Sequence, residues 1–207
     1  FKESDKIEVI WKSFELAPKL KTNPNRYFPQ FLAELRGLSI EQTTGMIEQV
    51  ANSAKELGLE FNLHKAIPAN SFNAHRLSHL AKHYHLQDKT EESLFKAYFT
   101  EGKNIDDTSV LIQIANEIGL DSTSVKNVLE SSKYADEVRQ DIYEAREAGV
   151  TSVPFFIFNA TTTVSGAQDS KVFLKTLEKT FAQWQTENYL NPEIMDGQSC
   201  KIGEDCK

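Results

Sequence analysis

A chain of 207 residues, 40% hydrophobic and 26% charged, suits one globular domain or one domain with a sizeable insertion. That excludes a collagen, a long coiled coil and a wholly disordered chain. The formal net charge of −7 offers no basic footprint for wrapping nucleic acid, and no Lys/Arg run marks a membrane surface. No apolar run approaches the roughly 18 residues of a membrane-spanning helix.

The chain opens Phe1-Lys2-Glu3-Ser4-Asp5, without an initiator Met or a charged-then-apolar leader. It reads like the end of a helix running into a loop, so a natural segment upstream of Phe1 is expected. Lys6 to Phe14 alternates polar and apolar residues and predicts a strand that Pro18 ends. Tyr27, Phe28, Phe31, Leu32 and Leu35 recur at helical spacing and are expected to be buried core. Ser39 and Gln42 form a capping box for a second helix, stopped at Gly58. Asn70 or Ser71 caps a third. A fourth runs from about Thr90 to Gly102, a fifth from Asp106 or Asp107 to Gly119, a sixth from Asp121 to near Ser131, a seventh from Ala135 to Ala148.

The texture then changes. Val153 to Phe158 is a continuous apolar run, which predicts a strand covered on both faces and flanked by other strands. Thr162 to Ser165 is a second strand after a turn at Asn159 to Thr161. Asp169 caps a last helix to about Glu187. From Tyr189 the chain is polar, a loosely held tail. A small sheet lacking one central strand would account both for the buried run and for the start at Phe1.

The most informative motif is Gly149-Val150-Thr151-Ser152-Val153-Pro154-Phe155-Phe156. Pro removes a ladder hydrogen bond, so it stands at a strand entrance or in a sharp loop. If the loop exposes the backbone of Val153, its N–H and C=O can pair with an extended peptide; otherwise the motif is a plain helix-to-strand turn. Cys200 and Cys206 are the only cysteines. They read as a tail clip or as a secondary redox pair; two thiolates alone are too few for structural zinc. His75, His79 and His83 stand at i, i+4 and i+8, with His85 beyond. Three ligands so spaced on a straight helix would span about 12 Å, and no Glu follows His75, so packing and surface roles are expected and no metal.

Thr151 to Phe158, the short turn, Val164-Ser165-Gly166-Ala167-Gln168 and the last helix resemble the second half of a thioredoxin-fold domain. More narrowly they resemble the DsbA family of thiol–disulfide oxidoreductases in its FrnE-like branch. Three further stretches match that branch: Trp11-Lys12-Ser13-Phe14-Glu15-Leu16, Asn70 to Leu77, and Leu94 to Gly102. The resemblance runs from Ile7 to Phe181. It implies an α/β, thioredoxin-like fold with an inserted all-helical domain. The thioredoxin-like part is 1–60 with 135–187, the insertion is 60–135, and 188–207 is a tail carrying the cysteine pair.

The family places Cys-x-x-Cys between its first strand and first helix, and both of those elements are missing from these residues. The nucleophile is therefore expected upstream of Phe1, with Val153 and Pro154 shaping the substrate-docking loop. The implied partner is a protein or small-molecule thiol or disulfide, with no cofactor, nucleic acid or membrane, in the cytoplasm. Two rivals share the fold: a kappa-type glutathione transferase or isomerase that uses Ser in place of Cys, and a redox-inactive peptide-binding protein.

Overall fold

The periodic stretch from Phe28 to Glu147 folds into seven helices, and the computed structural model describes residues 1–190 in all. They are α1 (Phe28–Arg36), α2 (Ile40–Glu56), α3 (Phe72–His83), α4 (Gln87–Phe95), α5 (Thr108–Glu117), α6 (Ser122–Leu129) and α7 (Ala135–Glu147). Their ends are set by local chemistry. Ser39 Oγ accepts from the Gln42 N–H at 3.1 Å while Gln42 Oε1 accepts from the Ser39 N–H at 2.9 Å, closing the capping box. Asp107 caps α5 and Asp121 caps α6, each accepting a backbone N–H at 2.7 Å. At α3 the Ser71 side chain makes no cap; Asn70 Oδ1 accepts from the Phe72 N–H at 2.9 Å instead.

These helices belong to one compact unit, Val9–Val150. Its core lies among α3, α4, α5 and α6, where Leu77, Leu80, Leu111, Ile114, Val125 and Val128 are buried. The aromatic start of α1 is not core. Tyr27 and Leu35 are exposed and Phe28 and Phe31 only half-buried, because Pro29 and Ala33 hold the inward positions. Phe28 and Phe31 instead join a run of ring contacts through Tyr98, Phe99 and Phe95 to Trp11.

The fourth predicted helix is two pieces. α4 ends at Phe95 and passes into a π-helical turn, Lys96–Thr100, in which the Glu101 N–H donates to the Lys96 carbonyl at 3.0 Å. Asn62 takes up two carbonyls of the turn: its N–H donates to Phe99 at 2.7 Å and its Nδ2 to Thr100 at 2.9 Å. Gly102 then turns the chain at φ +65°, with the Lys65 carbonyl 2.7 Å from where a Cβ would stand. Gly102→Ala is expected to cost about 2–3 kcal/mol, combining the left-handed backbone and a backbone clash. A urea titration of the two proteins checks this, and a loss under about 1 kcal/mol would mean that Lys65 moves aside freely.

The second unit is Phe1–Glu8 with the chain from Thr151 onward. Among the described residues it holds one two-stranded antiparallel sheet, β1 (Phe155–Phe158) and β2 (Thr162–Ser165). The register runs from Phe155 opposite Ser165 to Phe158 opposite Thr162. α8 (Ser170–Leu190) starts at Asp169, whose Oδ1 accepts from the Lys171 N–H at 2.8 Å. It packs on the hairpin through Phe173, edge-on to Phe156 at 4.8 Å. Asn159 and Ala160 both have positive φ in the hairpin turn. Ala160→Gly is expected to stabilise this unit by about 0.5–1 kcal/mol, since Gly adopts that region without a Cβ penalty and loses only part of the gain to chain entropy. Unchanged thermal and urea midpoints would refute it.

Two strand expectations need correction. Ser4–Lys6 forms a short 3₁₀ turn, and the residues after it, through Phe14, join no ladder among the described residues. Alternation is a property of one segment, whereas a strand needs a partner's backbone. The apolar run predicts a β1 covered on both faces; instead, among the described residues, it pairs with β2 alone, and Phe156 and Ile157 are 39% and 50% exposed.

Candidate functional site

The strand entrance places Val153 and Pro154 just before β1. The peptide bond between them is cis. The Pro154 carbonyl accepts from the Gly166 N–H at 2.8 Å, so the hairpin ladder extends one pair beyond the strands. Val153 has no backbone hydrogen bond among the described residues, and its side chain is exposed. Backbone direction alternates along an antiparallel ladder. With Pro154 turned toward β2, the backbone groups of Phe155 and Ile157 face the other edge, while Val153 stands before the ladder. That edge is a row of donors and acceptors suited to a further strand.

A second polar centre lies within Val9–Val150, built on the Trp11–Phe14 segment. No strand holds this segment; side chains pin it. Gln87 Nε2 donates to the Trp11 carbonyl at 3.3 Å, and the Trp11 indole donates to Asp88 at 3.1 Å. Lys12 Nζ donates to Asp141 Oδ1 at 2.8 Å and to Glu144 at 3.1 Å. The Ser13 N–H donates to Asp141 Oδ2 at 2.9 Å.

Asp141 is buried at the hub. Burial alone would raise its pKa, but the bonds from His79, Lys12 and the Ser13 N–H outweigh it and hold the carboxyl well below the usual range. Burial lowers the His75 pKa to about 4, so the ring is neutral at physiological pH. Glu91, which accepts from the Ser78 hydroxyl, is shifted up by burial.

Ser13, His79 and Asp141 look like a nucleophilic triad by composition but not by geometry. Ser13 Oγ at 3.2 Å and Asp141 Oδ2 at 3.1 Å both approach the same nitrogen, His79 Nε2. A relay needs one partner on each ring nitrogen, and Ser13 is itself buried. The centre is structural.

Of the remaining sequence candidates, His75 and His79 are packing residues here, while His83 and His85 are exposed. Among the described residues no three metal-capable side chains cluster. Cys200 and Cys206 lie outside the described residues. Sequence reasoning missed Asp141, Lys12 and Ser13. The signal that could have found them was a carboxylate on the inward stripe of α7, at the spacing of Tyr134, Val138, Asp141 and Ala145.

Comparison with known proteins gives these two centres a frame. The family model described as a DSBA-like thioredoxin domain matches residues 2–178. The chain belongs to the DsbA-like family. Over 179 residues it is 31% identical to the uncharacterized protein YwbO of Bacillus subtilis (strain 168), covering 83% of this chain and 81% of that one. The crystal structure of a probable DsbA oxidoreductase from Streptomyces coelicolor matches with a TM-score of 0.83 and 29% identity, over 98% of this chain and 86% of the other. The mostly helical α/β architecture with its small sheet is therefore a DsbA-like thioredoxin fold with a helical insertion, a fold of thiol–disulfide oxidoreductases. No described helix is long and apolar enough to cross a membrane.

Proposed function

We propose that this DsbA-like chain is the scaffold and substrate-docking part of a FrnE-like thiol–disulfide oxidoreductase whose Cys-x-x-Cys lies upstream of Phe1. The observation that carries this reading is the Val153 backbone at the entrance to β1, which makes no backbone hydrogen bond among the described residues. An extended substrate pairing there would present its sulfur beside the loop. A substrate thiolate attacks the enzyme disulfide, forms a mixed disulfide and releases one enzyme thiolate. A second substrate thiolate then displaces the other enzyme sulfur, so two electrons and two protons pass between the partners. The reverse exchange uses the same contacts.

In this reading 1–60 with 135–187 is the thioredoxin-like part, 60–135 the insertion, and the protein works in the cytoplasm on protein or small-molecule thiols. Cys200 and Cys206 form either a clip or a secondary pair. The acidic, cysteine-poor composition supports that compartment.

Intact mass of the natural protein after reduction and thiol alkylation tests the nucleophile. Two alkylatable thiols beyond Cys200 and Cys206 are expected; their absence, in a chain with or without added mass, would overturn the redox reading in favour of a serine-using transferase or a binding protein. The docking loop has its own test. A carboxylate at Val153 would raise the pKa of a neighbouring thiol by roughly one unit. Val153→Asp is therefore expected to slow disulfide exchange about 10-fold at neutral pH and to move the pH–rate profile upward. An unmoved profile would count against a docking role.

A further inference from the structure

The pinning of Trp11–Phe14 also shapes the chain beyond Phe14. Glu15 and Pro18, from the pinned segment's end and the turn beyond it, face Arg139, Ile142, Tyr143 and Arg146 of α7 across a cleft of about 260 Å³. The α7 residues stand at i, i+3, i+4 and i+7, on one helical face. The two walls are tied together close by, because Lys12 and Ser13 both bond Asp141 and Lys12 also reaches Glu144. The cleft is thus held in shape by bonds at Asp141 rather than by contacts across its own mouth.

Its charges are arranged unusually. Glu15 is half-buried and makes no side-chain hydrogen bond or ion pair among the described residues, and burial raises its pKa. Arg139 is occupied: it donates to Asp136 at 2.7 Å and lies over the Phe72 ring. Arg146 is exposed and makes no ion pair among the described residues. A carboxylate and a guanidinium therefore line one cleft without meeting, with Pro18, Ile142 and Tyr143 forming the apolar wall.

We propose that this cleft binds a small zwitterion of amino-acid or dipeptide size. Its ammonium group sits on Glu15, its carboxylate on Arg146, and its apolar body on Pro18, Ile142 and Tyr143. A pure anion would meet Glu15, and a pure cation would meet both arginines. A neutral apolar molecule would leave Glu15 desolvated and unanswered, which is costly. The volume lies just below the usual range for drug-sized ligands, about 300–1,000 Å³, and suits one or two residues. This site is separate in its residues from the Val153 loop and stands whether or not the redox reading does.

The probe is the dipeptide Gly-Phe, with its N-acetyl and C-terminal amide derivatives, titrated into the full chain by calorimetry. Saturable one-to-one binding is expected with Kd near or below about 1 mM. Blocking either terminus is expected to weaken it about 10-fold or more, as are Glu15→Gln and Arg146→Gln, each of which removes one charge-assisted bond. Arg139→Gln should change affinity less than Arg146→Gln. Both key side chains are at the surface of the cleft, and thermal melts establish that the variants fold. No saturable binding of Gly-Phe up to about 10 mM, well beyond the expected Kd, would overturn the proposal. So would binding indifferent to the terminal blocks, or unaffected by Glu15→Gln and Arg146→Gln.

Discussion

Arg76→Met is expected to destabilise the Val9–Val150 unit by about 2–3 kcal/mol, because it removes a buried guanidinium that donates to four acceptors. Arg76 is 4% exposed, yet among the described residues no carboxylate pairs with it. Its guanidinium instead closes the end of α6. Nε donates to the Lys133 carbonyl at 2.9 Å, Nη2 to the carbonyls of Val128 and Ser131, and Nη1 to Asn73 Oδ1 at 2.9 Å. Val128 lies in the last turn of α6 and Ser131 and Lys133 in the turn beyond it, where the helix dipole favours a cation. Burial first, and Arg139 second, lower the Arg76 pKa, but a guanidinium keeps its proton. Methionine would fill much of the volume without donating to any carbonyl. Arg76→Lys should recover part of the loss, since an ammonium reaches one or two acceptors but lacks the planar fork. Urea unfolding followed by helical circular dichroism measures both. A loss below about 1 kcal/mol for Arg76→Met would show that water replaces the guanidinium at little cost.

How much the sequence discloses depends on the range of each interaction. The capping box at Ser39 and Gln42, and the caps at Asp107, Asp121 and Asp169, act within three residues, so they are visible in neighbouring letters. The turn at Asn159 to Thr161 and the helix stop at Gly102 are equally local. The π turn between Phe95 and Glu101 is not, for its carbonyls are settled by Asn62, far back in the chain. The Trp11–Phe14 segment fails as a strand for the same reason. Its alternation is genuine, but Gln87, His79 and Asp141 hold it from 66 to 129 positions away. Composition suggests surface roles for such polar residues; only packing shows that they replace a ladder. At the docking loop the residue types are legible, since Val-Pro before an apolar run marks a strand entrance. The unpaired Val153 backbone beside it is not, because pairing depends on neighbours that the segment's own letters do not name.

Asp141→Ala is expected to cost about 3–4 kcal/mol, since one buried carboxylate answers three groups, of which the Ser13 N–H has no other partner among the described residues. The Ser13 N–H would be buried and unpaired, and His79 and Lys12 would lose their shared acceptor. Asp141→Asn keeps one acceptor oxygen and should cost about half as much. The pH dependence separates this hub from its neighbour. His75 has its folded pKa lowered from 6.5 to about 4, chiefly by burial. The unfolded chain therefore takes up a proton that the folded one refuses, so this contribution is complete above pH 6.5 and is lost as the pH falls toward 4, by about 2–3 kcal/mol. Asp141 acts lower down. Its folded pKa lies below the unfolded value near 3.8, so its stabilisation is present above that value and is lost as the pH falls through the folded pKa. Glu15 and Glu91, with raised values, slope the other way and are common to wild type and variant. The informative quantity is therefore a difference. His75→Gln, which keeps a polar side chain but does not titrate, is expected to flatten the loss between pH 6.5 and 4, while Asp141→Asn flattens only the fall below about 4. If His75→Gln keeps the wild-type slope in the upper window, the imidazole is protonated in the folded state, and burial at that turn of α3 does not govern the acid sensitivity of the unit.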